Sequence, residues 1–244
     1  MAGLGSVENP GAKMQYLIKR RPSTSREELI AHWFANHMSG VIARNESYAD
    51  ENKRATRYVA SLFDQEDAAP PAWDGVAQLW YNAPLPHPNQ ASGVEPYDTF
   101  QQRVEPYWPW ATREWVFVDG TLPLDPLTLN APFPCTRSGF VKQVSLVAAR
   151  PGVDVQKMFD HWLNAHGPNV QETMTKVGGF RYAVSLSTDL EHAPYAGMAE
   201  LYFPDRKAQA AFWDILKPDG FQDFSDPERT VRFRCGTEMV GIEA

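Results

Sequence analysis

Apolar and polar positions follow the same pattern twice along the chain. Two stretches, TSREELIAHWFANH (24–37) and DVQKMFDHWLNAH (154–166), place apolar residues three or four positions apart, as amphipathic helices do. The strand-like runs MQYLIK and FVKQVSLVAA precede them. A second helix is expected near YDTFQQRV and near RKAQAAFWDIL, and a closing strand near REWVFVD and near TEMVGIE. The pattern predicts the order β-α-β-β-α-β in each half.

The two halves also match in sequence, which indicates two copies of one unit. HWFANHMSGV matches HWLNAHGPNV at a distance of 129 residues, from His32 to His161. RYVASL and RYAVSL follow at a distance of 124 residues, and DGVAQLWY and AGMAELYF at 122. Ordered matches of this kind are typical of an internal repeat whose loops differ in length. We predict a first domain at 12–121 and a second at 138–243, joined by a proline-rich linker at 122–137.

This order of elements predicts an α+β fold. A β-α-β-β-α-β unit is the ferredoxin-like fold, in which two helices cover one face of a four-stranded antiparallel sheet. The other face of the sheet is expected to be apolar, and two copies can bury these faces against each other. We therefore expect two tandem ferredoxin-like units packed sheet to sheet as a pseudo-symmetric α+β barrel.

Charge and composition exclude several classes of partner. The formal net charge is −7, so the chain has no basic excess to neutralise nucleic-acid phosphates or an anionic membrane. No secretory signal pattern and no run of about 18 apolar residues occurs in the sequence, so we expect a cytoplasmic protein. Phosphate-binding loops, dinucleotide fingerprints and serine-nucleophile motifs are also absent from the sequence. A small molecule is the expected partner.

The two histidines of each motif are expected to have different surroundings. If each residue advances about 100° around a helix, His166 lies in the middle of the apolar stripe and His161 lies on its outer flank. His37 and His32 take the same inner and outer places in the first copy. A spacing of five residues disfavours a shared metal ion, because metal ligands on one helix face are three or four positions apart.

The sequence leaves two interpretations of His166 and His37 open. Gly167 and Pro168 are expected to end the helix directly after His166. An imidazole at this place can line a pocket and transfer a proton near neutral pH. Alternatively, it fills the core while one ring nitrogen bonds a carbonyl.

Aromatic residues provide further candidates for a pocket. Tyr58 and Tyr182 follow equivalent arginines at the start of the second strand, and a tyrosine facing a pocket can donate a hydrogen bond to a carbonyl or a phenolate. Half-buried aromatic residues are, however, usually part of the core. Acidic residues are scattered, and no pair of carboxylates recurs in both copies. The candidates for substrate binding are Trp33, Trp162, Trp80, Tyr202, His32 and His161.

The motif HWLNAHGPNV, at the end of an aromatic-rich first helix, resembles the EthD family of the dimeric α+β barrel superfamily. The resemblance extends over both halves of the chain, so it implies a tandem member of the family. It further implies a pocket between sheet and helices for small hydrophobic, often aromatic or polyketide-like compounds. Similar proteins include cofactor-independent decarboxylases, dehydratases, isomerases and cyclases. His166 and His37 match the helix-end histidine of the family.

The first copy departs from this motif. Met38 and Ser39 stand where the second copy has Gly167 and Pro168, so we expect two unequal pockets; if only one is active, it is expected to be the second. Because the repeat already supplies both halves of a barrel, the chain is expected to be a monomer with a pseudo-dimeric fold or a homodimer.

The resemblance leads to a hypothesis for the function. It implies a lyase- or isomerase-type enzyme without cofactor or metal, in which His166 moves a proton on a carbon acid while Tyr182 or His161 stabilises the oxyanion. His37 and Tyr58 would act in the same way in the first copy. Two alternatives remain, a binding or accessory protein without catalysis and a haem protein with His166 as the axial ligand.

Overall fold

The computed structural model of the chain describes residues 5–65, 72–121 and 133–242, which have a mixed α+β fold. Pairs of helices are joined by the π-helical segments Trp33–Met38 and Trp162–His166. The α-helices are α1 Arg26–His32, α2 Ser39–Ser47, α3 Val155–His161, α4 Gly167–Lys176 and α5 Arg206–Ile215. The strands are β1 Val7–Glu8, β2 Ala12–Ile18, β3 Arg57–Leu62, β4 Gly75–Tyr81, β5 Trp110–Asp119, β6 Cys135–Val147, β7 Arg181–Ser187, β8 Gly197–Phe203 and β9 Val231–Ile242.

The described residues divide into two compact units. The first-repeat unit contains 11–65, 72–111, 133–138 and 237–242, and the second-repeat unit contains 5–10, 112–121 and 139–236. The chain changes unit within β5, β6 and β9. Most of the predicted linker, 122–132, lies outside the described residues. Its end at Cys135–Arg137 is not linker but the start of β6, and the predicted domain boundaries stay a prediction.

Each unit has an antiparallel sheet that includes a closing strand from the other half of the sequence. In the first-repeat unit, β2 pairs with β4, β4 with β3, and β3 with the second half of β9. In the second-repeat unit, β1 pairs with β5, β5 with β7, β7 with β8, and β8 with β6. The predicted closing strand REWVFVD thus lies beside β7, and TEMVGIE lies beside β3.

A β-bulge occurs at the same place in both closing strands. The register of β5 against β7 shifts between Val116 and Val118, and the register of β9 against β3 shifts between Val240 and Ile242. The bulged residue is Phe117 in β5 and Gly241 in β9. Each such residue extends its strand by one position and changes the local twist.

The two bulges explain why the repeated motif differs between the copies. The Phe117 ring occupies the place where a Cβ atom at Gly167 would lie. In the first-repeat unit the sizes are reversed, because Met38 Cε lies 3.1 Å from the Cβ position of Gly241. In the second-repeat unit a large bulge residue, Phe117, faces a small helix residue, Gly167. In the first-repeat unit a small bulge residue, Gly241, faces a large helix residue, Met38.

The helix does not end at Gly167 and Pro168, as the sequence had suggested. After the π-helical segment, α4 continues from Gly167 to Lys176, with Pro168 in its first turn. The helix begins instead with side-chain caps, in which Asp154 accepts from Gln156 N and Lys157 N.

The second predicted helix forms in only one copy. RKAQAAFWDIL contains α5, but the segment around YDTFQQRV lies within 82–109, which is fully described and contains turns rather than a helix. Asp98 accepts a hydrogen bond of 2.8 Å from Gln101 N, which closes a turn, and Val104 forms a β-bridge with Arg20. These contacts use backbone groups that a helix would need.

One face of each sheet packs on the helices, but the other face is not apolar as expected. Apolar side chains of the helices and the adjacent sheet face form a core in each unit. The opposite faces carry buried polar residues, including Lys13 and Gln15 in one unit. In the other unit, Lys142 Nζ lies 2.7 Å from Glu200 Oε1. Within the described part of the chain, no helix is long and apolar enough to cross a membrane.

The contact between Gly167 and Phe117 predicts that alanine is destabilising at position 167, whereas alanine at the uncrowded position 40 is not. Gly167→Ala places a Cβ against Phe117 and should lower the free energy of unfolding by about 1–3 kcal/mol. Gly40→Ala lies in α2, where nothing lies within 4 Å of a new Cβ, and should raise it by up to about 1 kcal/mol. Urea unfolding of both variants checks this. Equal stability of Gly167→Ala and the wild type would contradict the packing described.

Candidate functional site

Each unit contains a cavity between its sheet and its π-containing helix. The first pocket has a volume of about 230 Å³ and is bounded by Tyr16, Trp33, His37, Tyr58, Phe100 and Tyr107. The second pocket has a volume of about 450 Å³ and is bounded by Ser145, Trp162, His166, Tyr182, Trp213 and Phe221. Each pocket therefore contains the inner histidine, the tryptophan and the strand tyrosine that the sequence singled out.

The π-helical segment determines where the two histidines point. In the second-repeat unit Gly167 N donates to Trp162 O, a bond that spans five residues instead of four. In an α-helix, two side chains five positions apart point about 140° away from each other. The wider π-helical turn brings the side chains of His161 and His166 closer to the same direction. Both side chains consequently reach the same carboxylate, that of Asp219.

Asp219 is the centre of a hydrogen-bond network beside the second pocket. Its Oδ2 atom lies 2.8 Å from His166 Nδ1 and accepts from Asn169 Nδ2 at 2.6 Å. Its Oδ1 atom accepts from Phe221 N at 3.1 Å and lies 3.8 Å from His161 Nε2. Burial raises the pKa of Asp219, but the hydrogen bonds from His166 and Asn169 outweigh this and hold that pKa well below its usual range.

The ionised carboxylate fixes the orientation and the tautomer of His166. Since a carboxylate only accepts hydrogen bonds, the proton on the His166 ring lies on Nδ1. Nε2 is then the nitrogen with a free lone pair when the ring is neutral. The ring is held flat against Phe221, with centroids 4.3 Å apart and planes at 10°. His166 is thereby positioned to act as a base in the pocket that it lines.

The first pocket contains a matching arrangement. His37 Nδ1 lies 2.7 Å from Asp98 Oδ2, and the His37 and Phe100 rings are 4.4 Å apart. Burial raises the pKa of Asp98, but hydrogen bonds from His37 and from Gln101 N lower it below its usual range. The outer histidine differs, because His32 Nδ1 lies 2.8 Å from Thr99 Oγ1.

Sequence reasoning missed both aspartates. YDTF around Asp98 and PDGF around Asp219 share the pattern Asp-x-Phe at a distance of 121 residues. That distance continues the series 129, 124 and 122 of the other matches, so the signal was present. The Asp-x-Phe match is hidden if YDTFQQRV is taken as the counterpart of the second helix of the other copy. It is also hidden if acidic residues are considered only where two carboxylates recur together.

The tryptophan and tyrosine of each pocket adjoin, but only one pair is hydrogen-bonded. Trp33 Nε1 donates to the Tyr58 hydroxyl at 3.3 Å. Trp162 Nε1 and the Tyr182 hydroxyl, both buried, are close enough for the indole N–H to oppose the effect of burial on the Tyr182 pKa, but they are farther apart than a normal hydrogen bond. Burial raises the pKa of Tyr58 and of Tyr182, so both hydroxyls keep their proton and can donate it to a ligand.

Four of the proposed substrate-binding residues do not line the pockets. His32 and His161 are the last residues of α1 and α3, and their side chains contact the Asp-x-Phe loops instead. Trp80 and Tyr202 lie on the opposite face of their strands, because side chains alternate along a strand and Leu79 and Leu201 occupy the pocket face. Their rings cover buried lysines at 4.7 Å and 4.9 Å.

Polar residues at the rim distinguish the second pocket. Trp213 Nε1 donates to Gln143 Oε1 at 3.1 Å, and the Arg232 guanidinium lies 5.4 Å from the Trp213 ring centroid. Lys217 also lines this pocket. Across 5–65, 72–121 and 133–242, no group of three or more His, Cys, Asp or Glu residues is arranged to hold a metal ion.

The difference between the two Trp–Tyr pairs predicts different effects of removing each hydroxyl. Tyr58→Phe leaves Trp33 Nε1 without its acceptor and should lower the free energy of unfolding by about 1–3 kcal/mol. Tyr182→Phe removes a hydroxyl whose contact with Trp162 Nε1 is longer than a normal hydrogen bond, so the free energy of unfolding should fall by less than about 0.5 kcal/mol. Chemical unfolding measures both, and similar losses in the two variants would disprove the assignment.

Comparisons with known proteins identify part of the chain and its fold. A chlorite dismutase variant from Candidatus Nitrospira defluvii has a similar structure, with a TM-score of 0.50, 6% identity and coverage of 93% of this chain and 92% of that one. The same enzyme in complex with imidazole gives the same four values. A haem-binding protein from Thermus thermophilus has a TM-score of 0.47 at 12% identity, covering 96% of this chain and 93% of that one. At these identities the similarity concerns the fold.

The sequence family is clear for the second repeat. No curated protein sequence is significantly similar to the chain. Residues 150–228, which include α3, the π-helical segment, His166 and Asp219, match the EthD domain. The predicted resemblance to the EthD family is confirmed for residues 150–228, and its extension to the first repeat stays a prediction.

Proposed function

We propose that this protein is an acid–base enzyme that converts a small hydrophobic, aromatic or polyketide-like compound in the second pocket without a cofactor. The observation that carries the proposal is the 2.8 Å contact between His166 Nδ1 and Asp219 Oδ2 beside that pocket. A carboxylate that orients a histidine and stabilises its imidazolium form is a common means of making a general base, and Asp219 is partly buried.

His166 and Tyr182 have complementary roles in the proposed reaction. His166 Nε2 takes a proton from a carbon next to a carbonyl group, the C–H bond breaks, and its electron pair moves to the carbonyl oxygen. The Tyr182 hydroxyl donates a hydrogen bond to that oxygen as its negative charge develops. Asp219 stabilises the imidazolium until the proton returns to the substrate. Isomerisation, dehydration and cyclisation can each follow from such an enolate, whereas decarboxylation forms the enolate by loss of CO2 and the enolate carbon then takes a proton from the His166 imidazolium.

The walls of the second pocket support an aromatic substrate. Trp162, Trp213 and Phe221 provide aromatic surfaces, and polar side chains, among them Lys217 and Arg232, also line this pocket. A volume of about 450 Å³ lies within the range of small-molecule sites. The net charge of −7 supports a small molecule rather than a nucleic acid as the partner.

The repeat supports a wider proposal about architecture. We propose that the chain consists of tandem ferredoxin-like units with one pocket each, which act as a monomer with a pseudo-dimeric fold or as a homodimer. The helix and strand residues of both pockets occupy matching positions in the two copies. A cytoplasmic location stays a prediction from the sequence.

Haem does not fit the second pocket well. His166 Nε2 has the chemistry of an axial ligand, because Nδ1 is bonded to a carboxylate. A cavity of about 150 Å³ holds benzene, which corresponds to about 25 Å³ per non-hydrogen atom. On that scale 450 Å³ accommodates roughly 18 such atoms, far fewer than haem contains. We therefore derive no step through haem.

Proton exchange tests the proposed reaction without knowledge of the natural substrate. We expect the protein to catalyse exchange of the α-protons of a small aromatic ketone such as 2-tetralone in D2O, followed by NMR. His166→Ala should slow this exchange by about 10²–10⁴-fold, the contribution of a positioned base. His192→Ala is the matched control, because His192 forms an exposed pair with Asp189 at the same distance, 2.8 Å, away from the pockets.

The outcomes separate the alternatives. Equal exchange by His166→Ala and wild type, with both folded, would refute the acid–base role. A ketone that binds in the second pocket but never exchanges would indicate a binding or accessory protein. A Soret band on titration with haem would show that the pocket opens further than the structure indicates.

A further inference from the structure

We propose that the first pocket is a second ligand site, specific for a single-ring aromatic carbonyl compound, and that Tyr16 and its counterpart Ser145 set the ligand size of the two pockets. The proposal rests on the proposed function only for the chemical class of the ligand. The first pocket and its tyrosines take no part in the reaction proposed for His166.

Tyr16 and Ser145 occupy equivalent positions. Tyr16 in β2 lies directly opposite Ala77 in β4, and Ser145 in β6 lies directly opposite Ala199 in β8. All four residues line their pockets, so both strands present the same positions to the ligand. The pair Tyr16–Ala77 therefore differs from the pair Ser145–Ala199 in one side chain, which is tyrosine in the first pocket and serine in the second.

The Tyr16 ring extends an aromatic row across the first pocket. Tyr16 packs edge to face on Tyr107 with ring centroids 6.0 Å apart, and Tyr107 packs on Phe100 at 6.3 Å. Phe100 in turn lies against His37. In the second pocket, Ser145 takes the place of the Tyr16 ring, and its hydroxyl accepts a hydrogen bond of 3.3 Å from Gln143 Nε2. The space of one aromatic ring is open there.

The two volumes correspond to ligands of different size. At about 25 Å³ per non-hydrogen atom, the 230 Å³ of the first pocket accommodates roughly nine atoms, a benzene ring with two short substituents. The 450 Å³ of the second pocket accommodates two fused rings with substituents. A fused ring system is too large for the first pocket as long as the Tyr16 ring is present.

The hydroxyls of the first pocket select for an acceptor on the ligand. The Tyr58 oxygen accepts from Trp33 Nε1, and the Tyr107 oxygen accepts from Gln101 Nε2 at 3.2 Å. Each hydroxyl can thus use its own proton as a donor to the ligand. Burial raises the pKa of Tyr58, Tyr107 and Tyr16, so all three stay protonated. A carbonyl or phenolic oxygen matches these donors.

Stoichiometry of two matched probes tests the proposal. The probes are 4-hydroxybenzaldehyde, with one ring, and 6-hydroxy-2-naphthaldehyde, with two rings and the same polar groups. Calorimetry gives the number of bound probes, and the ring-proton NMR signals of His37 and His166 show which pocket is filled. For the wild-type chain we expect two sites for the one-ring probe and one site, at His166, for the two-ring probe.

Exchanging the two residues should exchange the size limits. Tyr16→Ser should raise the stoichiometry of the two-ring probe from one to two, with a new shift at His37. Ser145→Tyr should reduce it from one to zero while the one-ring probe still binds twice. Tyr16→Phe is the matched control for ligand size, because it keeps the ring and removes only the hydroxyl: the number of bound probes should stay as in the wild type, whatever the change in affinity. If Ser145→Tyr fails to fold, Ser145→Leu should weaken the two-ring probe at His166 at least tenfold.

Other results would overturn the proposal. Two sites for the two-ring probe in the wild type, no one-ring binding at His37, or an unchanged stoichiometry in folded Tyr16→Ser would each do so. These results are independent of catalysis. A protein that fails to exchange 2-tetralone protons can still show the predicted stoichiometries, and an active enzyme can fail to show them.

Discussion

The hydrogen bond between His166 and Asp219 is the contact on which the second pocket depends. It joins the long π-containing helix to the loop after α5 and so holds Phe221 against the imidazole. Hydrogen bonds to a charged group contribute about 1.5–3 kcal/mol each, and this carboxylate accepts several. The same contact fixes the proton on Nδ1 and leaves Nε2 for a ligand, so one bond serves both packing and chemistry.

The π-helical segments make this contact possible in both units. A π-helical segment is rare, and it is found mainly where function requires it. Here it inserts one residue, directs the inner histidine to its aspartate, and lets the helix continue past Pro168. The two units then differ at the next position, where Gly167 accommodates Phe117 in one and Met38 faces Gly241 in the other. Sequence differences in the motif therefore reflect packing against the closing strand.

Much of this could be predicted from the sequence. The repeat, the strands, the first helix and the inner histidines followed from periodicity and matching segments. The direction of the His161 side chain could not be predicted, because the prediction assumed about 100° per residue, as in an α-helix, and the π-helical segment has a smaller angle per residue. The role of Asp219 depends on a contact 53 positions away along the chain. Trp80 and Tyr202 were assigned to the pocket because the sequence shows that strand residues alternate but not which set faces the helices.

The tautomer of His166 tests the account most directly. Long-range proton–nitrogen NMR correlations of the imidazole rings distinguish a protonated Nδ1 from a protonated Nε2 in the neutral ring. The account predicts a proton on Nδ1 and a bare Nε2 for His166, with a change of pattern in Asp219→Asn, whose amide can also donate. A proton on Nε2 of His166 in the wild type, with Nδ1 bare, would contradict the account.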